Sequence, residues 1–259
     1  MFYALAYNKI PTGNYTFEHI LRDIETLNRW ALDKKLEVTA LSVHAYAHVA
    51  RDYALLPFGA SIGEKYGPIV VAKKEMSIDE LKKSKIAIPG ELTTAFLALS
   101  IALGKFRYDV VEFDQIFDAV KNGRVDAGLI IHEGQLTYPQ FGFSKVLDLG
   151  EWWFKQTELP LPLGVNGIRK DLGLPACREI SGYLRDSIEF GLTHREEALQ
   201  YALKYARETE EKIADRFVGM YVNEFTRNLG ERGRLAIETL LKRASEAGIV
   251  PPTSIDLIE

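Results

Sequence analysis

A histidine that closes an apolar run is delivered to the end of a buried strand, and an imidazole near its ordinary pKa is a suitable base at neutral pH. His132 holds that position, directly after Ala127-Gly-Leu-Ile-Ile131. Glu133 beside it can orient the ring or open the next helix, where an acidic residue suits the dipole. The plainer reading of His132 is a histidine hydrogen-bonded at a strand terminus.

Two more strand ends carry polar groups: Ala40-Leu41-Ser42, and Pro89-Gly90 leading to Thr93-Thr94-Ala95. In α/β sheets ligands sit at the carboxyl ends of strands, where helix N-termini offer free backbone N–H groups and a positive partial charge. The hydroxyls of Ser42 and Thr94 beside such groups suit a carboxylate or another oxygen-rich ligand. Taken singly, each reads as an ordinary helix cap. Their joint placement with Ile130-Ile131-His132 at one cleft is what points to a site.

Other chemistry-bearing residues form no such group. His44 and His48 have the i, i+4 spacing of a shared metal, but His-Ala-Tyr-Ala-His lacks the glutamate of a zincin, and neither is assigned a role. His19, His194 and Cys177 read as structural, and Trp30, Trp152 and Trp153 as core or lobe-interface residues. There is no Walker A sequence, dinucleotide glycine fingerprint or G-x-S-x-G elbow.

The elements that must position these residues alternate between strand-length apolar runs and helix-period segments, which predicts an α/β fold with a largely parallel sheet. Tyr15 to Leu21 alternates like a strand, Asp23 to Lys34 has helical spacing, and Leu36 to Leu41 is strand-like again, giving one βαβ unit. Tyr53 to Pro57 and Pro68 to Ala72 follow as strands, and Ser77-Ile-Asp-Glu80 is a capping box. A second unit runs through strands at 85–88, 108–113 and 125–131, with helices at 93–103 and 114–122 between them. Beyond about Pro175 the chain reads as helical and is expected to cover a sheet. Connections near Val71 to Lys74 and Leu161 to Val165 bracket the central block, so a larger lobe of residues 1–72 and 166–259 is expected to hold an inserted lobe of 73–165, with a cleft between them.

With 259 residues and 47% hydrophobic content the chain can bury one large core or two modest ones. Thirty-two basic residues against 36 acidic ones leave a charge of −4 with no basic run, which argues against nucleic acid and anionic membrane as partners. A single cysteine suits a reducing compartment and hence the cytoplasm. No apolar stretch approaches the ~20 residues of a membrane span.

Several segments resemble 1,4-dihydroxy-6-naphthoate synthase of the futalosine route to menaquinone. They are Asp23-Ile-Glu-Thr-Leu-Asn-Arg-Trp-Ala31, Gly67-Pro-Ile-Val-Val-Ala72, Pro89-Gly-Glu-Leu-Thr-Thr-Ala95 and Ala127-Gly-Leu-Ile-Ile-His-Glu133. Thr137-Tyr-Pro-Gln-Phe-Gly142, Asp148-Leu-Gly-Glu-Trp-Trp153, Leu159-Pro-Leu-Pro-Leu-Gly164 and Tyr221-Val-Asn223 extend the likeness, in order, over nearly the whole chain.

The resemblance implies the two-lobed fold of periplasmic solute-binding proteins (type 2) with a central interlobe cleft and a helical C-terminal tail. It implies a lyase, without metal or other cofactor, that converts cyclic dehypoxanthine futalosine, a carboxylated small molecule, into 1,4-dihydroxy-6-naphthoate with release of a sugar-derived fragment. By the same matching the base falls on His132, and substrate-binding positions fall on Ala40, Leu41, Ser42, Thr94 and Ala95. Family members usually begin with a strand and a Ser-Pro-Cys-Pro-Asn-Asp-Thr-like loop before the helix matching Met1-Phe-Tyr-Ala-Leu5, so the native protein is expected to be longer. Chorismate dehydratase, which shares the fold and pathway, and a binding protein that captures a small anion are the competing readings. His132 argues against the first, because that enzyme would not need it as a base.

Overall fold

A computed structural model describes residues 1–204 and 211–258 of the protein. The strands are β1 Val38–Ser42, β2 Tyr53–Leu55, β3 Ser61–Gly63, β4 Ile69–Ala72, β5 Lys85–Ile88, β6 Arg107–Val110, β7 Ala127–Ile130, β8 Ser144–Asp148 and β9 Leu161–Arg169. They form two sheets. In the first, β9 lies between β1 and β2 and also pairs with β3; the second has the order β6-β5-β7-β4-β8.

The helices that serve these sheets begin with α1 Tyr3–Ala6, α2 Ile24–Leu32, α3 Val43–Val49, α4 Ile78–Lys83, α5 Thr94–Leu103, α6 Ile116–Lys121, α7 Gly134–Thr137 and α8 Leu149–Thr157. The tail is helical as expected: α9 Leu174–Thr193, α10 Arg195–Leu203, α11 Glu211–Tyr221, α12 Glu224–Arg227 and α13 Gly230–Glu246. Local signals set several boundaries. Asp23 accepts the Thr26 N–H at 3.0 Å to start α2, and the predicted capping box of Ser77 and Glu80 starts α4.

The expectation of a largely parallel sheet holds only for β6-β5-β7, where α5 and α6 supply the crossovers. The first sheet is antiparallel throughout, since β1, β2 and β3 all run against β9. Similarly, β4 runs against both β7 and β8. The chain passes from the first sheet to the second after β3 and returns after β8, and its returning strand enters opposite to those already laid down.

The predicted strand at Tyr15–Leu21 pairs with nothing among the described residues. Its alternation is real: Tyr15, Phe17 and His19 are half-buried, while Thr16, Glu18 and Ile20 are exposed. The covered side rests on α9, with the Tyr15 and Phe17 rings 5.9 and 6.3 Å from that of Tyr183. Period-two burial thus comes from packing a single extended segment on a helix, and the first βαβ unit lacks its leading strand.

Period two also builds the core. In β4, Val70 and Ala72 enter the main core with Leu41, Tyr46 and Trp153, while Ile69 and Val71 enter a second cluster with Ile116 and Val120 beneath α6. Both faces of the second sheet are therefore covered. The apolar stripe Ala236, Ile237, Leu240, Leu241 and Ala244 of α13 packs on β9, α3 and α5, so it contacts elements attached to both sheets. Cys177 is on the buried face of α9 with its thiol on the Arg169 carbonyl, and Trp153 is buried with its Nε1 on the Pro160 carbonyl, both as core residues. No described helix is long and apolar enough to cross a membrane.

Candidate active site

The start of α5 is capped by Thr93. Its hydroxyl accepts the Phe96 N–H at 3.2 Å and donates to the Gly90 carbonyl at 2.9 Å. The N–H groups of Thr94 and Ala95 are those that intrahelical bonding leaves over at this end. Thr94 itself does not cap: its hydroxyl donates to the Leu163 carbonyl at 2.5 Å and accepts the His44 N–H at 3.4 Å. This side chain joins α5, attached to the second sheet, to β9 and α3 of the first.

Ser42 ends β1 and opens α3 without a side-chain cap bond. Its hydroxyl accepts from Asn28 Nδ2 at 3.0 Å, and its N–H donates to Asn28 Oδ1 at 2.8 Å. Asn28 is fully buried on α2, and its Nδ2 also reaches the Leu92 carbonyl at 3.2 Å. One carboxamide therefore ties the end of β1 to the loop that leads into α5. Glu25, one turn earlier, accepts the Leu92 N–H at 3.1 Å and pairs with Arg29 at 2.9 Å; burial holds its carboxyl above the ordinary range.

Ala40, Leu41, Ser42, Thr94 and Ala95 all line one cavity of about 340 Å³, within the size range of small-molecule sites, roughly 300–1,000 Å³. Ile24, Pro68, Ile131, Leu163, Val165 and Phe217 supply apolar wall, while Ser61, Asn166 and Tyr221 add polar groups. Among the described residues no Asp, Glu, Lys, Arg or His side chain is in this wall. An anionic ligand would be held by N–H groups and hydroxyls. A larger depression of about 720 Å³ at residues 222–232 lies away from the strand ends, and its Arg227 and Arg232 are already paired with Glu189 and Glu64.

His132 stands immediately beyond Ile131, outside that wall. Its side chain is 18% exposed, with its ring edge-on to Phe113 at 5.7 Å and to Phe117 at 5.8 Å. Nδ1 accepts the Gly134 N–H at 3.0 Å and lies 3.9 Å from the Glu133 carboxylate. Burial pulls the imidazole pKa below its ordinary value, against the opposing pull of Glu133 and of the Phe113 backbone. The ring is thus neutral at pH 7, the form a base requires.

His44 is buried, with Nδ1 3.3 Å from the Thr93 carbonyl and its ring 5.6 Å from that of His48. Burial and then the charge of His48 lower its pKa to about 4. Among the described residues no three His, Cys, Asp or Glu side chains gather as a metal site. Sequence reasoning missed Asn28, Asn166, Phe217 and Tyr221. Asn28 had a signal, since it falls with Glu25 and Ala31 on the buried stripe of α2, where a polar residue calls for partners. Tyr221 lay within a matched segment but had no role.

Residues 1–246 match the family model described as menaquinone biosynthesis. The chain is 40% identical to a 1,4-dihydroxy-6-naphtoate synthase of Thermus thermophilus, over 98% of this chain and 92% of the relative. A second 1,4-dihydroxy-6-naphtoate synthase, of Streptomyces coelicolor, is 36% identical over 100% of this chain and 93% of the relative. Among solved structures, a protein of Archaeoglobus fulgidus superposes with a TM-score of 0.91 at 45% identity, covering 96% of this chain and 93% of its own. An alkanesulfonate-binding protein of Xanthomonas axonopodis shares the fold alone, with a TM-score of 0.64 at 12% identity over 87% of this chain and 80% of its own. The fold is that of the periplasmic binding proteins, and the chain belongs to the menaquinone-biosynthesis enzyme family that includes 1,4-dihydroxy-6-naphthoate synthase.

Proposed function

We propose that this enzyme is a cytoplasmic, metal-independent carbon–carbon lyase that converts cyclic dehypoxanthine futalosine into 1,4-dihydroxy-6-naphthoate. His132 is the base, and Ala40, Leu41, Ser42, Thr94 and Ala95 bind the substrate. The observation that carries this reading is the convergence of β1, the start of α5 and Ile131 just beyond β7, drawn from both sheets, on one apolar cavity with helix N–H groups at its wall. The ligand carboxylate is placed at the N–H groups of Thr94 and Ala95, and the aromatic body against the apolar wall.

In this proposal His132 takes a proton from the ligand and the sugar-derived fragment departs as the naphthoate ring becomes aromatic. The lone pair on Nδ1 is engaged by the Gly134 N–H, so that bond yields when Nδ1 takes the proton. The lobes enclose the ligand and exclude water. The sequence pattern puts the inserted lobe at 73–165; sheet membership supports a slightly earlier block, with β4 on the inserted side and all of β9 on the other.

Capture of a small anion without chemistry is the second reading, favoured by the fold shared with an alkanesulfonate-binding protein. Mass spectrometry of the purified chain with cyclic dehypoxanthine futalosine separates the two. Naphthoate that forms with the native sequence and disappears in His132→Ala is the expected result; no product from a folded protein overturns the lyase reading.

A further inference from the structure

Tyr221 ends α11 and lines the cavity. Its hydroxyl donates to Gln135 Oε1 at 2.9 Å. Gln135 belongs to the turn that holds His132: its own N–H donates to the His132 carbonyl at 2.9 Å, and Gly134 donates to His132 Nδ1 at 3.0 Å. The segment that fixes the imidazole thus also carries an amide bonded to a phenol on the cavity wall.

Gln135 is only 8% exposed, yet its Nε2 has no hydrogen-bond partner among the described residues. A buried amide nitrogen without an acceptor is uncommon, and a carbonyl oxygen left without a donor is better tolerated. A half-turn of the amide about its last side-chain bond exchanges the two atoms. Nε2 then donates to the Tyr221 oxygen, and the Tyr221 hydrogen is released from Gln135. Tyr221 borders the cavity, and we infer that the released hydrogen turns toward it.

The ring itself has little freedom. Tyr66 packs edge-on against it at 5.7 Å and Phe217 at 5.1 Å, while the Tyr66 hydroxyl is bonded to the Met220 carbonyl. Burial, followed by the nearby Tyr66 and Asp148, raises the Tyr221 pKa, so the phenol keeps its proton at neutral pH.

We propose that Tyr221 is a ligand-contacting hydrogen-bond donor, turned toward the cavity by Gln135, that holds a carbonyl or enolate oxygen of the substrate as His132 removes a proton. The proposal rests on the lyase reading above. Tyr221 retains its proton and gives a hydrogen bond that strengthens as negative charge grows on the oxygen, so it acts on the reaction step more than on binding.

The test compares Tyr221→Phe and Gln135→Glu in the full chain, with thermal melts to establish that each is folded. Removing such a donor is expected to lower kcat about 10²-fold with a much smaller change in KM. Gln135→Glu presents an acceptor-only carboxylate that keeps the Tyr221 hydrogen, so kcat falls in this variant too. Its activity relative to the native enzyme recovers as pH falls and the new carboxyl gains a proton it can donate to Tyr221. A merely structural role would not produce that recovery. A folded Tyr221→Phe with native kcat, or a Gln135→Glu with no pH-dependent recovery, overturns the proposal. If the native chain makes no product, the lyase reading fails by itself, and titration with 1,4-dihydroxy-6-naphthoate by fluorescence decides the donor. Weaker binding by Tyr221→Phe upholds it, and equal affinity overturns it.

Discussion

Asn28 holds Ser42 from two directions, accepting its N–H at 2.8 Å and donating to its hydroxyl at 3.0 Å. The same Nδ2 reaches the Leu92 carbonyl at 3.2 Å. Asparagine is the side chain that can accept and donate at once in this shape.

Asn28→Leu is expected to destabilise the protein strongly, because each buried polar group left unpaired costs roughly 1–3 kcal/mol. Asn28→Asp separates the partners. Its oxygens still accept from the Ser42 N–H and can accept the Ser42 hydroxyl, but one of them must face the Leu92 carbonyl. Urea unfolding should place Asn28→Asp well below the native protein as well, and native stability in that variant would show that the Leu92 bond contributes nothing.

Gly134 approaches His132 too closely for any side chain. A Cβ there would lie 2.6 Å from His132 Cε1 and 2.8 Å from Phe117 Cζ. Gly134→Ala must therefore displace the imidazole, and a displacement of ~1 Å at a reacting group can cost about 10²-fold in rate. We expect kcat to fall by that order in a protein that still folds. An unchanged kcat would remove His132, in this position, from the reaction.

His44 makes stability depend on pH in a direction that its burial fixes. Its pKa falls from 6.5 unfolded to about 4 folded, so between those values the unfolded chain binds a proton that the folded chain refuses. The stability contribution is fully present above pH 6.5 and is lost as pH falls toward 4, by roughly 3 kcal/mol at about 1.4 kcal/mol per pH unit. His44→Asn removes the titration and keeps a donor for the Thr93 carbonyl. Urea unfolding at pH 7 and pH 4.5 should show a larger acid loss in the native protein than in this variant; equal losses would contradict the assignment.

The sequence made much of this site legible because strand ends and helix starts have local signatures. Asp23, Ser77 and Thr93 act at helix starts through bonds within a turn, and the apolar run before His132 is a strand of the second sheet. What stayed hidden depended on partners distant in the chain. Alternation at Tyr15–Leu21 could not reveal that its covered side meets Tyr183 instead of a neighbouring strand. Nor could spacing show that β9 serves three antiparallel partners. The roles of Ser42 and Thr94 read locally as caps, whereas their hydroxyls bond Asn28 and Leu163. Tyr221 reaches Gln135 across 86 residues, a distance at which pattern carries no information.

The two passages between sheets meet at Gly67 and Gly150, and this contact gives the last prediction. A Cβ on Gly67 would lie 2.9 Å from the Gly150 nitrogen, and one on Gly150 would run into the Tyr66 carbonyl and come within 2.5 Å of the Gly67 nitrogen. The obstacles are backbone atoms, which cannot swing aside as a side-chain end would, so relief requires the passages to separate. Forcing extra carbon into packed structure costs typically about 1–3 kcal/mol, and Gly150→Ala should exceed Gly67→Ala because it meets a carbonyl head-on. Once one alanine has driven the passages apart, the second finds part of its space already open. Urea unfolding of both single variants and the double variant should therefore give a double-variant loss smaller than the sum of the single losses. Strict additivity would mean that the two glycines relax independently and that the passages are not held by a shared contact.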